Sequence, residues 1–267
     1  MTIDAHHHLW DLARRPQEWL STLGPINRSF WPQDLPRRFD RTVLVQVLAD
    51  LDETREFLAL AATSDRIAGV VGWVDLASPD VGDVLDALPA GLVGVRHLVQ
   101  AEPDRRWLLR RDVVRGVRAV GERGLVYDLL TLPPQLPAAT ELVRALPDVR
   151  FVLDHLSKPP LATGSLDAWA AALRELAAEP NVVAKLSGLV TEARWDTWTV
   201  ADLRPAVEVA LEAFGPDRLM FGSDWPVCLL AASYDDVVDA AETLVGDLSA
   251  EERAAIFGGT AAATYRI

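Results

Sequence analysis

The histidines of this chain occur where a single site could collect them. There are five, and each follows or ends a run of residues that resembles a buried strand: His6, His7 and His8 after one run, His97 after another and His155 after a third. Imidazole is the side chain of proton transfer and of metal ligation near neutral pH. We therefore interpret the histidines as parts of one reaction centre.

The first of these runs ends in His6-x-His8. Residues two apart on a strand point to the same side, so both imidazoles can grip one cation or one oxyanion. The same alternation predicts that Asp4 shares their face and that His7 points the other way. On its own this spacing is a weak signal, because a structural or surface pair of histidines has the same spacing.

Two further strand ends add a third imidazole and a carboxylate. They are Asp154-His155-Leu-Ser-Lys158 and Gly222-Ser-Asp224-Trp-Pro226. The four groups can ligate zinc or another divalent ion. They can equally work without a metal, with Asp224 as general base on water and the imidazoles as donors to an oxyanion. The purely structural alternative makes Asp224 a loop cap and His155 a core residue. The predicted catalytic and metal-binding residues are His6, His8, His155 and Asp224.

The fourth predicted strand ends in Arg96 and His97, which regular alternation sends to opposite faces. A bulge at the strand end could bring both inward. We expect His97 to contact the substrate, with Arg96 close behind it.

Lys185 is a further candidate, since it and Lys158 are the only lysines in a chain whose other basic residues are arginines. It either contacts substrate or is a partner in a buried ion pair. Three aromatic residues could stack on the substrate or donate hydrogen bonds to it, although each could also be purely structural. They are Tyr127, Trp31 and Trp225.

Eight short apolar runs must position these side chains. They are Thr2–His7, Thr42–Val47, Ile67–Leu76, Leu92–Val99, Leu125–Thr131, Arg150–Ser157, Val182–Leu189 and Leu219–Trp225. Helical patterns cover Glu53–Thr63, Arg110–Arg123, Leu166–Glu179 (after Ser165 as N-cap), Leu203–Phe214, Asp235–Val245 and Ala250–Tyr265. Strands rich in Val, Ile and Leu with little polar alternation are typical of a parallel sheet buried on both faces.

Strand and helix alternation over 267 residues predicts a single (β/α)8 barrel domain spanning residues 1–267, with its active site at the carboxyl ends of the strands. The rival is a doubly wound open sheet, but no Gly-x-Gly-x-x-Gly follows the first strand. The connection Leu9–Arg41 is long and rich in aromatic residues and proline. It is predicted to be an ordered lid with short helical pieces; its aromatic residues could also serve only to pack the loop down.

The composition of the chain limits the kinds of molecule that it could bind. A net charge of −13 argues against nucleic acid and anionic membranes. Cys228 is the only cysteine, so no internal disulfide can form and a reducing compartment fits. The first residues do not form a signal peptide, and no apolar stretch is long enough to cross a bilayer. We expect a cytoplasmic protein whose partner is a small molecule.

The chain resembles the amidohydrolase superfamily, in its amidohydrolase-2 branch, over essentially its whole length. The motifs that carry the resemblance are Ile3-Asp-Ala-His-His-His8, Gly94-Val-Arg-His97, Leu153-Asp-His-Leu-Ser-Lys-Pro159, Lys185-Leu-Ser-Gly188 and Phe221-Gly-Ser-Asp-Trp-Pro226. Within the branch it is most similar to bacterial sugar lactonases. The resemblance implies hydrolysis of an aldonolactone such as L-fucono-1,5-lactone to the sugar acid.

The resemblance also assigns His6, His8, His155 and Asp224 to the central site. Many members of the superfamily hold a second metal through a carboxylated lysine on the fourth strand, where this chain has Gly94-Val-Arg-His97. That departure leaves one metal or none, and zinc could occupy the site without being required. Two alternatives remain. One is a metal-dependent, non-oxidative decarboxylase of the same branch, and the other is a catalytically dead barrel that binds sugar.

Overall fold

The computed structural model describes residues 1–267 and contains one sheet of eight parallel strands in the order of the chain. The strands are β1 (Ile3–His7), β2 (Arg41–Val45), β3 (Ile67–Gly72), β4 (Leu92–His97), β5 (Val126–Leu129), β6 (Arg150–Leu153), β7 (Val182–Leu186) and β8 (Leu219–Phe221). A parallel bridge joins His7 to Trp225, just beyond β8, and closes the sheet into a barrel. The predicted (β/α)8 fold is therefore confirmed.

Helices alternate with the strands. They are α1 (Leu51–Ala61), α2 (Val81–Asp86), α3 (Arg111–Glu122), α4 (Leu136–Ala145), α5 (Asp167–Ala177), α6 (Leu189–Glu192), α7 (Val200–Phe214), α8 (Tyr234–Leu244), α9 (Ala250–Ala254) and α10 (Thr260–Tyr265). The sequence did not predict α2, α4 or α6, and it predicted the last two as one helix. A π-helical turn at Ala255–Gly259 divides them. None of these helices could span a lipid bilayer.

Seven of the eight predicted strands run too far at their carboxyl ends, the first being the exception. Two examples are the sixth, which stops at Leu153 rather than Ser157, and the eighth, which stops at Phe221 rather than Trp225. In both cases the residues that follow are mostly polar, and their backbone leaves the sheet to place side chains over the barrel. The motif residues His155 and Asp224 therefore lie on loops.

Two apolar clusters explain why the strands are hydrophobic on both faces. A small one fills the barrel and includes Ile3, Val43, Val126 and Met220. A much larger one packs the outer faces of the strands against the helices. Tyr265 of α10 belongs to the inner cluster and is 3% exposed, so the last helix closes the floor of the barrel.

The connection between β1 and β2 is ordered, as predicted, and contains three short 3-10 turns. An antiparallel bridge pairs Trp10 with Phe30. Phe30 is fully buried, and its ring packs edge-on against Trp225 at a centroid distance of 5.1 Å. This aromatic contact fixes the loop over the carboxyl end of the barrel.

A buried carboxylate fixes the loop that follows β2. Glu53 of α1 is 3% exposed, and its Oε2 accepts hydrogen bonds from the backbone N–H groups of Val47 at 2.8 Å and Leu48 at 2.9 Å. Burial outweighs these bonds and raises the pKa of Glu53 to about 7. The protonation of this residue is therefore coupled to folding.

Replacing Glu53 by Gln should remove a pH dependence of stability. Between its ordinary pKa of 4.5 and its folded-state pKa of about 7, only the folded protein binds this proton, so the wild type loses stability as pH rises. The loss is on the order of 3 kcal/mol. Urea unfolding at pH 5 and pH 8 should show Glu53→Gln gaining on the wild type at the higher pH, because the amide does not titrate. An equal difference between the two proteins at both pH values would contradict the assignment.

Candidate active site

The structure brings together the four groups expected at the reaction centre. The Nε2 atoms of His6, His8 and His155 lie 3.7, 3.4 and 3.9 Å from Oδ1 of Asp224. The Nε2 atoms of His6 and His8 are 3.2 Å apart. All four side chains are buried. Polar groups so close together must share a ligand, a proton or a reacting molecule.

A shift in strand register turns β1 toward the centre. The pairing of β1 with β2 is irregular between Asp4 and His7. His7 contacts Oγ1 of Thr42 at 3.0 Å and does not join the centre, as predicted. Asp4 was expected on the face of His6, but its carboxylate accepts hydrogen bonds from the backbone N–H of Ser223 and the hydroxyl of Tyr234 in α8. The irregularity breaks the simple alternation on which that expectation rested.

A left-handed turn delivers His155. The four residues from His155 to Lys158 have φ angles of 53°, 50°, 56° and 56°. Non-glycine residues pay roughly 1–2 kcal/mol each in this region. Gly188 packs against the ring, and a Cβ there would lie 2.7 Å from Nδ1 of His155. The backbone thus accepts strain to hold this imidazole in place.

Asp224 is held where β1 pairs with the segment after β8 and closes the barrel. Its backbone N–H donates to the carbonyl oxygen of His6 at 2.8 Å, and its φ is 56°. A Cβ at Gly222 would come within 2.5 Å of Cβ of His6, so only glycine allows this approach. Burial alone would raise the pKa of Asp224, but attraction to His155 and the other imidazoles holds it below its usual range. Asp224 is therefore a carboxylate at neutral pH.

The donor set fits a divalent cation. Nδ1 of His8 lies 2.8 Å from the carbonyl oxygen of Val45, which can only accept, so the lone pair of this imidazole is on Nε2. Burial lowers the pKa of His155 to about 4 and that of His6 well below its ordinary value, so both are neutral at pH 7. Oδ1 of Asp224 is buried without a hydrogen-bond partner. Neutral imidazoles and an unpartnered carboxylate oxygen are a ligand set that suits zinc.

Arg96, rather than His97, faces the centre. Nη1 of Arg96 donates to Oδ2 of Asp154 at 3.0 Å and lies 3.3 Å from Nε2 of His6. His97 points to the other face, where it stacks on Trp107 with ring centroids 4.1 Å apart. The expected order is therefore reversed, since Arg96 lines the cavity of the centre and His97 does not. The register of β4 shifts against β3 near Leu92, but Gly94–His97 pair residue by residue with β5, so the alternation holds at the strand end.

Lys185 lies beneath the centre and does not line its cavity. Nζ is 2.6 Å from Oδ2 of Asp128, 2.9 Å from Oδ1 of Asp154 and 3.2 Å from Nδ1 of His6. Lys185 is fully buried. Of the two roles considered for it, the structure places it in the buried ion pair.

This cluster controls how its carboxylates titrate. Burial would raise the pKa of Asp154, but attraction to Lys185 and His6 holds it well below its usual range. Burial outweighs Lys185 at Asp128 and raises its pKa to about 6. The hydroxyl of Tyr265 donates to Oδ2 of Asp128 at 2.8 Å. Asp154 is therefore the firmly ionised member of the pair, and it is the one beside His6.

None of the three aromatic candidates lies at the centre. Tyr127 is fully buried on the face of β5 opposite Asp128, against Phe151. Trp31 is half-exposed and lines a separate cavity under the β1–β2 connection. Trp225 is buried, although its carbonyl oxygen accepts the N–H of His8 at 2.7 Å. Each ring is used for packing or lies elsewhere, so none of the three lines the cavity at the centre, where they were expected.

A cavity of about 430 Å³ opens onto the centre. Its lining comprises His8, Trp10, Trp19, Val47, Arg96, Leu98, Gln100, Ala101, Leu130, His155, Lys158, Asp224 and Val227. Sequence reasoning missed Trp10, Trp19 and Gln100 as wall residues. The position of Trp10, two residues after His8, was a signal for one of them. Nothing local in the sequence marks the other two, because loop conformation places them.

The chain is similar to known proteins in both sequence and structure. The sequence model of the amidohydrolase family matches residues 3–267. An L-fucono-1,5-lactonase of Burkholderia multivorans is 43% identical, over 100% of this chain and 96% of the relative. An L-fucono-1,5-lactonase of Burkholderia ambifaria is 38% identical, over 99% of this chain and 95% of the relative. A crystal structure of an amidohydrolase from Burkholderia multivorans with bound zinc superposes with a TM-score of 0.95 at 42% identity, covering 100% and 99% of the two chains.

Replacing Lys185 by Met should destabilise the fold strongly, because Asp128 and Asp154 would lose their shared cation. Removing one partner of a buried pair costs about 3–5 kcal/mol. Urea unfolding measures the loss. Adding Asp128→Asn to Lys185→Met should recover part of it, since one unpaired carboxylate is then removed. A loss below about 1 kcal/mol in the single variant would show that the cluster does not hold the barrel together.

Proposed function

Because the chain belongs to the amidohydrolase family, we propose that it is a hydrolase that opens a sugar lactone, an aldonolactone such as L-fucono-1,5-lactone, to the sugar acid. The observation that carries the proposal is the convergence of an ionised Asp224 with three imidazoles in a cavity of about 430 Å³. The two lactonases that match over their whole length support it.

Hydrolysis of a lactone needs a base for water and positive or donor groups for the oxyanion. Asp224 is ionised at neutral pH and takes the proton of the attacking water. The N–H groups of Arg96 and the Nε2–H of His6, whose Nδ1 accepts from the ammonium group of Lys185, stabilise the oxyanion that forms on the carbonyl. Asp224 then returns its proton to the leaving alcohol of the ring, so the carboxylate ends the cycle as it began.

The size of these effects makes a metal dispensable. A positioned base contributes about 10²–10⁴-fold and an oxyanion donor about 10²–10³-fold. Lactones are already reactive esters, and the two factors together suffice for them. Arg96 adds a permanent cation next to His6, at 3.3 Å from its Nε2.

We further propose that the centre accepts one zinc ion, held by His6, His8, His155 and Asp224, without requiring it for turnover. When bound, such an ion would polarise the lactone carbonyl and lower the pKa of a water molecule. The unpartnered Oδ1 of Asp224 and the lone pair on Nε2 of His8 support the assignment. The zinc-bound amidohydrolase from Burkholderia multivorans supports it as well.

The substrate is a small molecule, and the walls of the cavity suit a monosaccharide ring. Trp10 and Trp19 supply aromatic surface, while Arg96, Gln100 and Lys158 supply polar groups at other points. The net charge of −13 disfavours nucleic acid as a partner. We also propose a cytoplasmic location, which a chain with one buried cysteine suits.

Replacing Asp224 by Asn should lower kcat/KM for sugar lactones by about 10²–10⁴-fold, because the amide cannot accept a proton from water. A pH-indicator assay on a panel of aldonolactones measures it, with circular dichroism as the check on folding. The exposed Asp217→Asn is the matched control and should be unchanged. Full activity in the Asp224 variant would exclude this residue as the base.

Removal of metal should leave lactone hydrolysis within about twofold of its starting rate, since the base and oxyanion donors are side chains. Activity is measured before and after chelation, and zinc binding by calorimetry should give one site that Asp224→Asn weakens. Loss of activity that zinc restores would contradict metal independence. Metal-dependent release of carbon dioxide from an aromatic acid would identify a decarboxylase, and lactone binding without turnover would identify a sugar-binding protein.

A further inference from the structure

Lys158 lines the cavity that holds the reaction centre, yet the chemistry above gives it no task. It shares the wall with His155 and Asp224, and its side chain is 25% exposed. Lys185, the other lysine of the chain, is completely buried in the ion cluster. Lys158 is therefore the only lysine that can meet a molecule in the cavity.

The strained turn after β6 is what aims this lysine. In a left-handed turn, as in a right-handed one, residues three apart lie on the same side. The backbone N–H of Lys158 donates to the carbonyl oxygen of His155 at 2.8 Å and closes the turn. The two residues between them point elsewhere, since Leu156 is fully buried and Ser157 bonds to Thr131 at 2.8 Å. One irregular segment thus presents both His155 and Lys158 to the cavity.

Glu192 holds the far end of the side chain. Its Oε1 lies 3.5 Å from Nζ of Lys158, and the structure gives Nζ no other ion pair and no hydrogen bond. An ammonium group has three donors, so at least two remain free beside the cavity. The carbonyl oxygen of Glu192 accepts the backbone N–H of Ala162 at 3.0 Å, which ties α6 to the loop that follows the turn.

We propose that Lys158 is a substrate-binding residue that donates hydrogen bonds to hydroxyl oxygens on the lactone ring and holds the ring against His155 and Asp224. Glu192 is the positioning residue that keeps the ammonium group at the cavity wall. This inference rests on the proposed function and extends it. It makes Lys158 a determinant of specificity for hydroxylated lactones over unsubstituted ones.

The test compares two substrates that differ in the groups Lys158 would bind. One is L-fucono-1,5-lactone, and the other is δ-valerolactone, a six-membered lactone without hydroxyl groups. Lys158→Met should lower kcat/KM for the sugar lactone by about ten- to a hundredfold, mainly through KM, and leave δ-valerolactone within about twofold. Lys158→Arg keeps the charge and should recover part of the loss.

Two further variants separate binding from folding. Glu192→Gln leaves the lysine in place but loosens it, so it should show the same selective loss at a smaller size, about threefold. Arg174→Met removes a cation from an exposed pair with Glu212 between the outer helices and should change neither substrate. If Lys158→Met does not fold, Lys158→Arg and Glu192→Gln give the comparison.

The outcomes are distinct. Selective loss on the sugar lactone supports the proposal. Equal loss on both lactones, or no loss on either, overturns it while leaving lactone hydrolysis intact. A wild-type protein that hydrolyses neither of these lactones nor any other member of an aldonolactone panel overturns the proposed function, and the role of Lys158 with it.

Discussion

Buried charge organises the interior of this barrel. Arg96, Asp128 and Lys185 lie on β4, β5 and β7, Asp154 directly follows β6, and each of the four is at most 2% exposed. A charge so deep in a protein is tolerable only with partners, and these four offset one another. The cluster touches His6 on one side and Tyr265 on the other, so it connects the reaction centre to the helix that closes the barrel floor. The position of the first imidazole depends on it.

Above the charged layer, the candidate active-site residues lie on backbone that departs from regular structure. β6 and β8 stop early, and His155 and Asp224 follow in left-handed conformations. The regular strands provide rigid support, and the strained residues that follow them orient the side chains toward the centre. This division matches the general experience that unfavourable dihedral angles persist where the surrounding structure enforces them, often at functional sites.

The sequence was sufficient to predict the barrel and the convergence of the four central groups. The barrel follows from the alternation of strand and helix patterns, and the convergence follows because parallel strands all end at the same side of a barrel. It was insufficient where a single residue decides orientation. The choice between Arg96 and His97 depended on whether β4 has a bulge at its carboxyl end, which no local pattern reveals. The partners of Lys185 come from β5 and from the residue that follows β6, so only the closed barrel identifies them. Cavity-lining residues on loops, such as Trp19, could not be predicted either, because no periodic pattern marks them.

The seam between β1 and the segment after β8 has a consequence for how the protein matures. The bonds that close the barrel there also bring Asp224 to His6 and His8, and Asp4 meets Ser223 across 219 residues of chain. Contacts so distant in sequence form late, after the entropy of a long loop has been lost. A chain emerging from the ribosome can assemble many of its helices and strands before it has a centre at all. The centre is then complete only when β1 pairs with the segment that follows β8.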